Sequence, residues 1–192
     1  MSMLRNFFRI FVFVLVFTGL TQVASAAEDL GPPVGSVAPS IGSPPDQTGQ
    51  PRTMQQLMGS KGLVLLFFRS AGWCPYCQAQ LIELNGGIAE IEKRGFKLAA
   101  LSYDKPAVLA DFTDKRHIAF TFLSDPNSEV IDRYALRDPQ YKPGSMAYGV
   151  PRPIIFVLDP NGVIKAKLFE ETYKTRPPVS AVLETLDKVA AR

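Results

Sequence analysis

Two cysteines, Cys74 and Cys77, are the only ones in this 192-residue chain, and they bracket a proline and a tyrosine in the order Cys74-Pro75-Tyr76-Cys77. Positions i and i+3 share one face of a helix. The spacing therefore places two thiols where they can close to a disulfide with little backbone movement. A thiolate attacks, and a second thiol within reach resolves the intermediate. Cys74 is expected at the helix start, where unpaired backbone N–H groups and the positive end of the helix dipole stabilise a thiolate and lower its pKa from about 8.5 into the range of roughly 3.5 to 7.5. Cys74 is thus the expected attacker and Cys77 the resolver. Pro75 falls at the first helical position, where its fixed φ suits the helix and its missing N–H costs nothing.

Two other uses of the cysteines fare worse. A bridge closing so short a loop would stabilise the chain by about 2 kcal/mol on a loop-closure estimate, which is poor placement for a staple. Zinc usually takes four ligands. The single histidine, His117, lies 40 residues from Cys77 and reads as a surface or cap residue. The expectation is therefore no metal and no cofactor.

The elements that must position the pair can be read from the apolar pattern. Leu63 to Phe68 is a continuous apolar run of the length expected for a strand covered on both faces, and it leads directly to Trp73 and the dithiol. Leu81, Leu84, Ile88 and Ile91 then recur at helical spacing across Gly86-Gly87. Strand, dithiol and helix in that order place a reactive group at the C-terminal edge of a sheet. Further strands are expected at Phe96 to Tyr103, Thr121 to Leu123 and Ile154 to Leu158, with helices at Met54 to Met58, Ala107 to Arg116 and Ser128 to Tyr134. The Pro160-Asn161-Gly162 turn joins Ile154 to Leu158 with Val163 to Phe169 as a hairpin, and Pro177-Pro178 precedes a last amphipathic helix from Val179 to Ala190. Alternating strands and helices define an α/β fold with a central mixed sheet, mostly parallel with a C-terminal antiparallel hairpin, flanked by helices.

The first 26 residues read as an export signal. Arg5 and Arg9 form a basic start, Ile10 to Leu20 an apolar stretch and Ala24-Ser25-Ala26 a small-residue cleavage site. Eleven mostly apolar residues are too few for a bilayer span of about 20, so no stable membrane insertion is expected after cleavage. An oxidising space such as a bacterial periplasm is the expected location. Removal of this segment takes two basic residues and leaves 19 basic against 18 acidic, a net charge of +1. That margin gives no footprint for nucleic acid. Residues 27–51 carry six prolines and four glycines and read as an extended approach to a single domain over 52–192.

An apolar strand, Trp73-Cys74-Pro75-Tyr76-Cys77, a helix, and a later proline opening a strand with Phe156, Asp159, Asn161 and Gly162 behind it resemble the thioredoxin-like superfamily. More narrowly, Val37 to Ile164 is similar to the redoxin branch, the family of alkyl hydroperoxide reductases and thiol-specific antioxidants. The resemblance implies a cis proline before the late strand, packed against the disulfide. Pro153 aligns best and Pro151 is the second candidate.

Several positions depart from that family. Its peroxide-reducing members surround the reactive cysteine with a proline seven residues before it, a threonine three before it and an arginine opening the late strand. Phe67, Ala71 and Pro153 stand there in this chain, and Arg152 is one place out of register. Thioredoxins carry a buried aspartate six residues before the first cysteine, where this chain has Phe68. The proton acceptor is therefore unassigned. Arg69, at the strand end, is placed to lower the Cys74 pKa by its charge. Trp73 and Tyr76 flank the sulfurs, as an apolar docking face or, for Trp73, as packing beneath the helix, and the loop from Arg137 to Gly149 either borders the site or is a long surface connection.

The leading expectation is an exported thiol–disulfide oxidoreductase, exchanging electrons with a protein thiol or disulfide substrate and with a separate redox partner. The alternative on the same scaffold is a thiol peroxidase with an antioxidant role, in which Cys74 becomes a sulfenic acid captured by Cys77. A third class is a copper-binding module that uses the thiols as soft ligands.

Overall fold

A computed structural model describes residues 29–191. The export signal expected over residues 1–26 lies outside the described residues.

Five strands form one sheet in the order β3-β2-β1-β4-β5. They are β1 (Gly62–Phe67), β2 (Phe96–Ser102), β3 (Thr121–Ser124), β4 (Ile154–Leu158) and β5 (Ile164–Leu168). β1 pairs in parallel with β2, and β2 in parallel with β3. β4 runs antiparallel to both β1 and β5. The antiparallel part of the mixed sheet therefore begins at its central strand and includes more than the terminal hairpin.

Every residue of β1 is buried, because its two faces serve two cores. Side chains alternate across a strand. Val64 and Leu66, with Phe68 just beyond the strand, enter one core with Leu81, Leu84, Leu109, Val182 and Leu186. Leu63, Leu65 and Phe67 enter the other with Leu57, Val130, Ile131 and Tyr134. The first core is covered by α2 (Pro75–Gly86), α3 (Ile88–Lys93), α4 (Pro106–Arg116) and α6 (Val179–Ala190). The second is covered by α1 (Met54–Leu57) and α5 (Glu129–Arg133). Each such apolar side chain contributes about 1.5 to 3 kcal/mol on burial.

The helical run expected from the spacing of Leu81, Leu84, Ile88 and Ile91 is divided at Gly87, which ends α2 and begins α3. A Cβ at Gly87 would lie 2.3 Å from Val179 Cγ2, so this glycine lets α6 approach closely. His117 caps the end of α4 in the left-handed region at φ 51°.

Residues 29–51 have no helix or regular strand, yet they are part of the folded body. Leu30 and Ile41 are buried in the second core. Val37 bridges Val163, and Asp46 bridges Leu123. Asp46 also accepts from Thr48 and from Arg52, which keeps its carboxyl below the usual carboxylate range despite burial.

Candidate active site

Cys74 follows the C-terminal end of β1 and forms the N-cap of α2, with extended backbone at φ −96° and ψ 102°. Pro75 occupies the first turn, and the Cys77 N–H donates to Cys74 Sγ at 3.4 Å. A side chain that accepts at this place satisfies one of the helix's otherwise unpaired N–H groups.

The turn between β1 and Cys74 is held from the neighbouring strand. Asp104, two residues beyond β2, accepts from Ser70 Oγ at 2.8 Å, from the Ala71 N–H at 2.7 Å and from Ser102 Oγ at 3.0 Å. Burial pushes its carboxyl up, while these donors oppose the shift. Ser70 Oγ in turn accepts from the Gly72 and Trp73 N–H groups. Gln78, on α2, donates back to Ala71 O at 2.7 Å. The sulfurs thus rest on a turn fixed from two directions.

Both sulfurs lie below the surface, with Cys74 1% and Cys77 0% exposed. Burial disfavours a thiolate. Arg176 opposes it: its Nη2 lies 3.7 Å from Cys77 Sγ and its charge acts on both thiols. The hydrogen bond from Cys74, a backbone hydrogen bond from Ser70 and the Arg176 guanidinium bring the Cys77 thiol down to about 6, against the burial that would raise it. Cys74 moves the other way, because it donates its proton to Cys77, is buried and faces that negative charge. The pair therefore loses its first proton easily and resists losing the second. The helix start and the Cys77 N–H favour that charge on Cys74 Sγ, while the Arg176 guanidinium favours it on Cys77 Sγ, so one negative charge belongs to the pair.

Arg69 does not act as that cation. It is buried at the end of β1, with its guanidinium carbon 5.0 Å from the centre of the Trp73 ring, 5.1 Å from Tyr141 and 4.2 Å from Tyr173. It also donates to the Tyr141 hydroxyl. Three aromatic faces thus hold its charge, and neither cysteine is shifted by it to a leading degree.

Trp73 is half-buried, and its Nε1–H donates to Tyr103 Oη at 2.8 Å, which donates onward to Met146 O at 2.9 Å. Tyr76 is exposed and meets Tyr173 edge to face at 6.1 Å. Through Tyr141 and Met146, the loop 137–149 does border the site. Arg152 and Pro153 line a cleft of about 470 Å³ together with Leu30, Phe169, Thr172 and Tyr173.

The expected cis bond at Pro153, or at Pro151, is not present: among the described residues no peptide bond is cis. The backbone there is drawn out straight instead. Pro151 bridges Arg137, and the Arg152 N–H donates to Leu136 O at 2.7 Å before the chain enters β4.

Arg176, Asp104, Tyr103, Tyr141 and Tyr173 were not singled out in the sequence. Asp104 carried a usable signal, since it follows the strand expected beside β1 at the sheet edge where the dithiol lies. Arg176 carried none: it lies 99 positions from Cys77 in a segment marked only by the prolines that follow it.

A strand-edge dithiol on a mixed five-stranded sheet flanked by helices defines a redox enzyme of the thioredoxin-like class. The chain belongs to the AhpC/TSA family, which matches residues 34–167. It is 30% identical over 156 residues to peroxiredoxin Bcp of Escherichia coli K12, covering 81% of this chain and 96% of that one. Its fold is that of peroxidoxin BcpB from Mycobacterium tuberculosis, with a TM-score of 0.69 at 20% identity over 85% of this chain and 98% of that one. Xanthomonas campestris peroxiredoxin Q superposes with a TM-score of 0.64 at 22% identity, covering 77% and 90%.

The chain is therefore an oxidoreductase. The leading expectation of an exported thiol–disulfide oxidoreductase is overturned by the relative that matches it across nearly that relative's whole length, which is a peroxiredoxin.

Proposed function

We propose that this protein is a thiol peroxidase that reduces a hydroperoxide with the Cys74/Cys77 pair. One observation carries the reading: a buried dithiol at a helix start, in a chain whose end-to-end relative is a peroxiredoxin. Cys74 sulfur attacks the peroxide, an S–O bond forms, the O–O bond breaks, and an alcohol or water departs as Cys74 becomes a sulfenic acid. Cys77 attacks that sulfur, the S–O bond breaks, and water leaves with formation of the disulfide. Cys77 is one helical turn away, so capture needs no large backbone movement. A thiol-based redox partner then returns two electrons and two protons by thiol–disulfide exchange.

Phe67 and Ala71 offer the peroxide no hydroxyl, so its placement here rests on other groups. The bacterioferritin comigratory protein of Xanthomonas campestris, similar in fold at a TM-score of 0.64, is described by its alkyl peroxide reduction activity. The cleft beside the site, with Leu30, Pro153, Phe169 and Tyr173 among its walls, suits an organic substituent of the same kind. The exposed Tyr76 offers the reductant a place to dock near the sulfurs.

The test is to add an alkyl hydroperoxide to the fully reduced, reductant-free protein and follow peroxide and thiols together. One peroxide should vanish for each pair of thiols lost, with an intramolecular disulfide as product. Persistence of both peroxide and thiols would overturn the assignment.

A further inference from the structure

At the start of β4 stands Pro153, and Arg152 lines the outer cleft. Between β5 and α6 the chain crosses the dithiol as a strap over residues 169–178, from which Arg176 reaches Cys77 Sγ at 3.7 Å. We propose that Arg176 is a catalytic residue of this site: it holds negative charge on Cys77, so that Cys77 takes the proton of Cys74 in the first step and attacks its sulfenic acid in the second.

The geometry is that of a fixed cation. Nη1 donates to Tyr173 O and to Thr175 O, the latter at 2.9 Å, which leaves Nη2 aimed at the sulfur. Nε is buried without a hydrogen-bond partner among the described residues, as is Oε1 of Gln80 on α2. Gln80 and Arg176 line one void of about 10 Å³ with Pro153 and Ile155. An arginine that leaves a buried donor unpaired while pressing another on a sulfur is badly placed for fold stability and well placed for charge.

The other titratable groups around the pair are already engaged. Arg69 at the end of β1 sits among three aromatic rings. Asp104 beyond β2 is turned to Ser70, Ala71 and Ser102. Tyr103 is tied to Trp73 and Met146. Cys74 itself is the remaining neighbour, and it is the proton donor of the step. The acceptor that the sequence left unassigned is therefore the second cysteine.

The balance closes. Cys74 gives its proton to the Cys77 thiolate as its sulfur bonds to the peroxide oxygen. The departing alkoxide takes that proton, directly or through solvent, and leaves as the alcohol. Cys77, again a thiolate under Arg176, displaces hydroxide from the sulfenic acid, and a solvent proton completes the water.

Only the kinetic arm of the test rests on the peroxidase reading. In the C74S background, thiolate absorbance at 240 nm follows Cys77 alone. There, R176Q should raise the titration midpoint by about one pH unit or more, while R176K restores much of the loss because it keeps the charge without the fork. In the otherwise unsubstituted chain, R176Q should slow closure of the disulfide after sulfenic acid formation by about tenfold at a fixed pH below the parent's titration midpoint, where a one-unit shift lowers the thiolate fraction tenfold. R176M gives the same readings should R176Q not fold. A folded R176Q or R176M that titrates and closes its disulfide like the parent overturns the proposal. A shifted titration in a protein that spares peroxide would overturn the peroxidase reading and leave the role of Arg176 standing.

Discussion

At the scale of single residues, the site depends on how one proton is shared. A buried thiol alone would be a poor nucleophile at neutral pH, because burial penalises its charged form. Two thiols in hydrogen-bond contact, one of them beside Arg176, relieve that penalty for a single charge. The pair gives up its first proton at about 6. Below that pH the pair is doubly protonated and has lost its base; above it the monoanion persists, since Cys74 resists losing the second proton. The rate of peroxide consumption should therefore rise as pH increases through about 6 and then level off, which a single-turnover pH series would show. A rate that climbs only near pH 8.5, the region of an unperturbed thiol, would mean that the pair does not share its charge in this way.

At the scale of elements, each strand end delivers one part of the site, and the closeness of the strands fixes the tolerances. Gly62 opens β1 at φ +139°, in backbone space that side chains rarely enter, and a Cβ there would lie 1.9 Å from Leu158 O of β4. G62A should therefore force β1 and β4 apart and cost about 3 kcal/mol or more, read as a fall in the denaturant midpoint. An unchanged midpoint would mean that the β1–β4 pairing tolerates a separation its geometry does not suggest. These elements were also the most legible part of the sequence. β1, β4 and the dithiol stand out because apolar runs, turn residues and paired cysteines are local signals. Tyr103, Tyr173 and the strap with Arg176 do not, because each is brought to the site by tertiary contact. Pro153 shows the same limit from the other side: a family expectation placed a cis bond there, whereas the Arg137 bridge and the Leu136 carbonyl hold this chain extended.

At the scale of the whole molecule, the layered arrangement explains why so little of the chemistry is exposed. The sheet divides two cores, and Cys74 and Cys77 belong to the first of them, beside Val64, Leu66, Leu81 and Ile155. The reactive sulfurs are thus core residues as well as functional ones, and the aromatic cover over Arg69 closes the site from outside. Residues 29–51, which read as an irregular approach, extend the second core through Leu30 and Ile41, and Leu30 also helps wall the cleft beside the site. Their composition disguised this, because proline and glycine set the local backbone while a few apolar side chains decide where it lies.

The pairing of β1 with β4 also carries a consequence for how the polypeptide is made. β1, α2 and β2 are neighbours along the chain, so contacts among them close short loops, whereas Leu63 must wait for Leu158 and Cys77 for Arg176. Contacts between distant positions form late and slowly. As the chain leaves the ribosome, both thiols emerge before the strand and the strap that will enclose them. In a nascent chain the sulfurs are thus open to solution until β4 and the strap have emerged. Pulse labelling with a thiol reagent during refolding should find both cysteines reactive until the slowest phase and shielded after it; early shielding would place β4 ahead of its order in the chain.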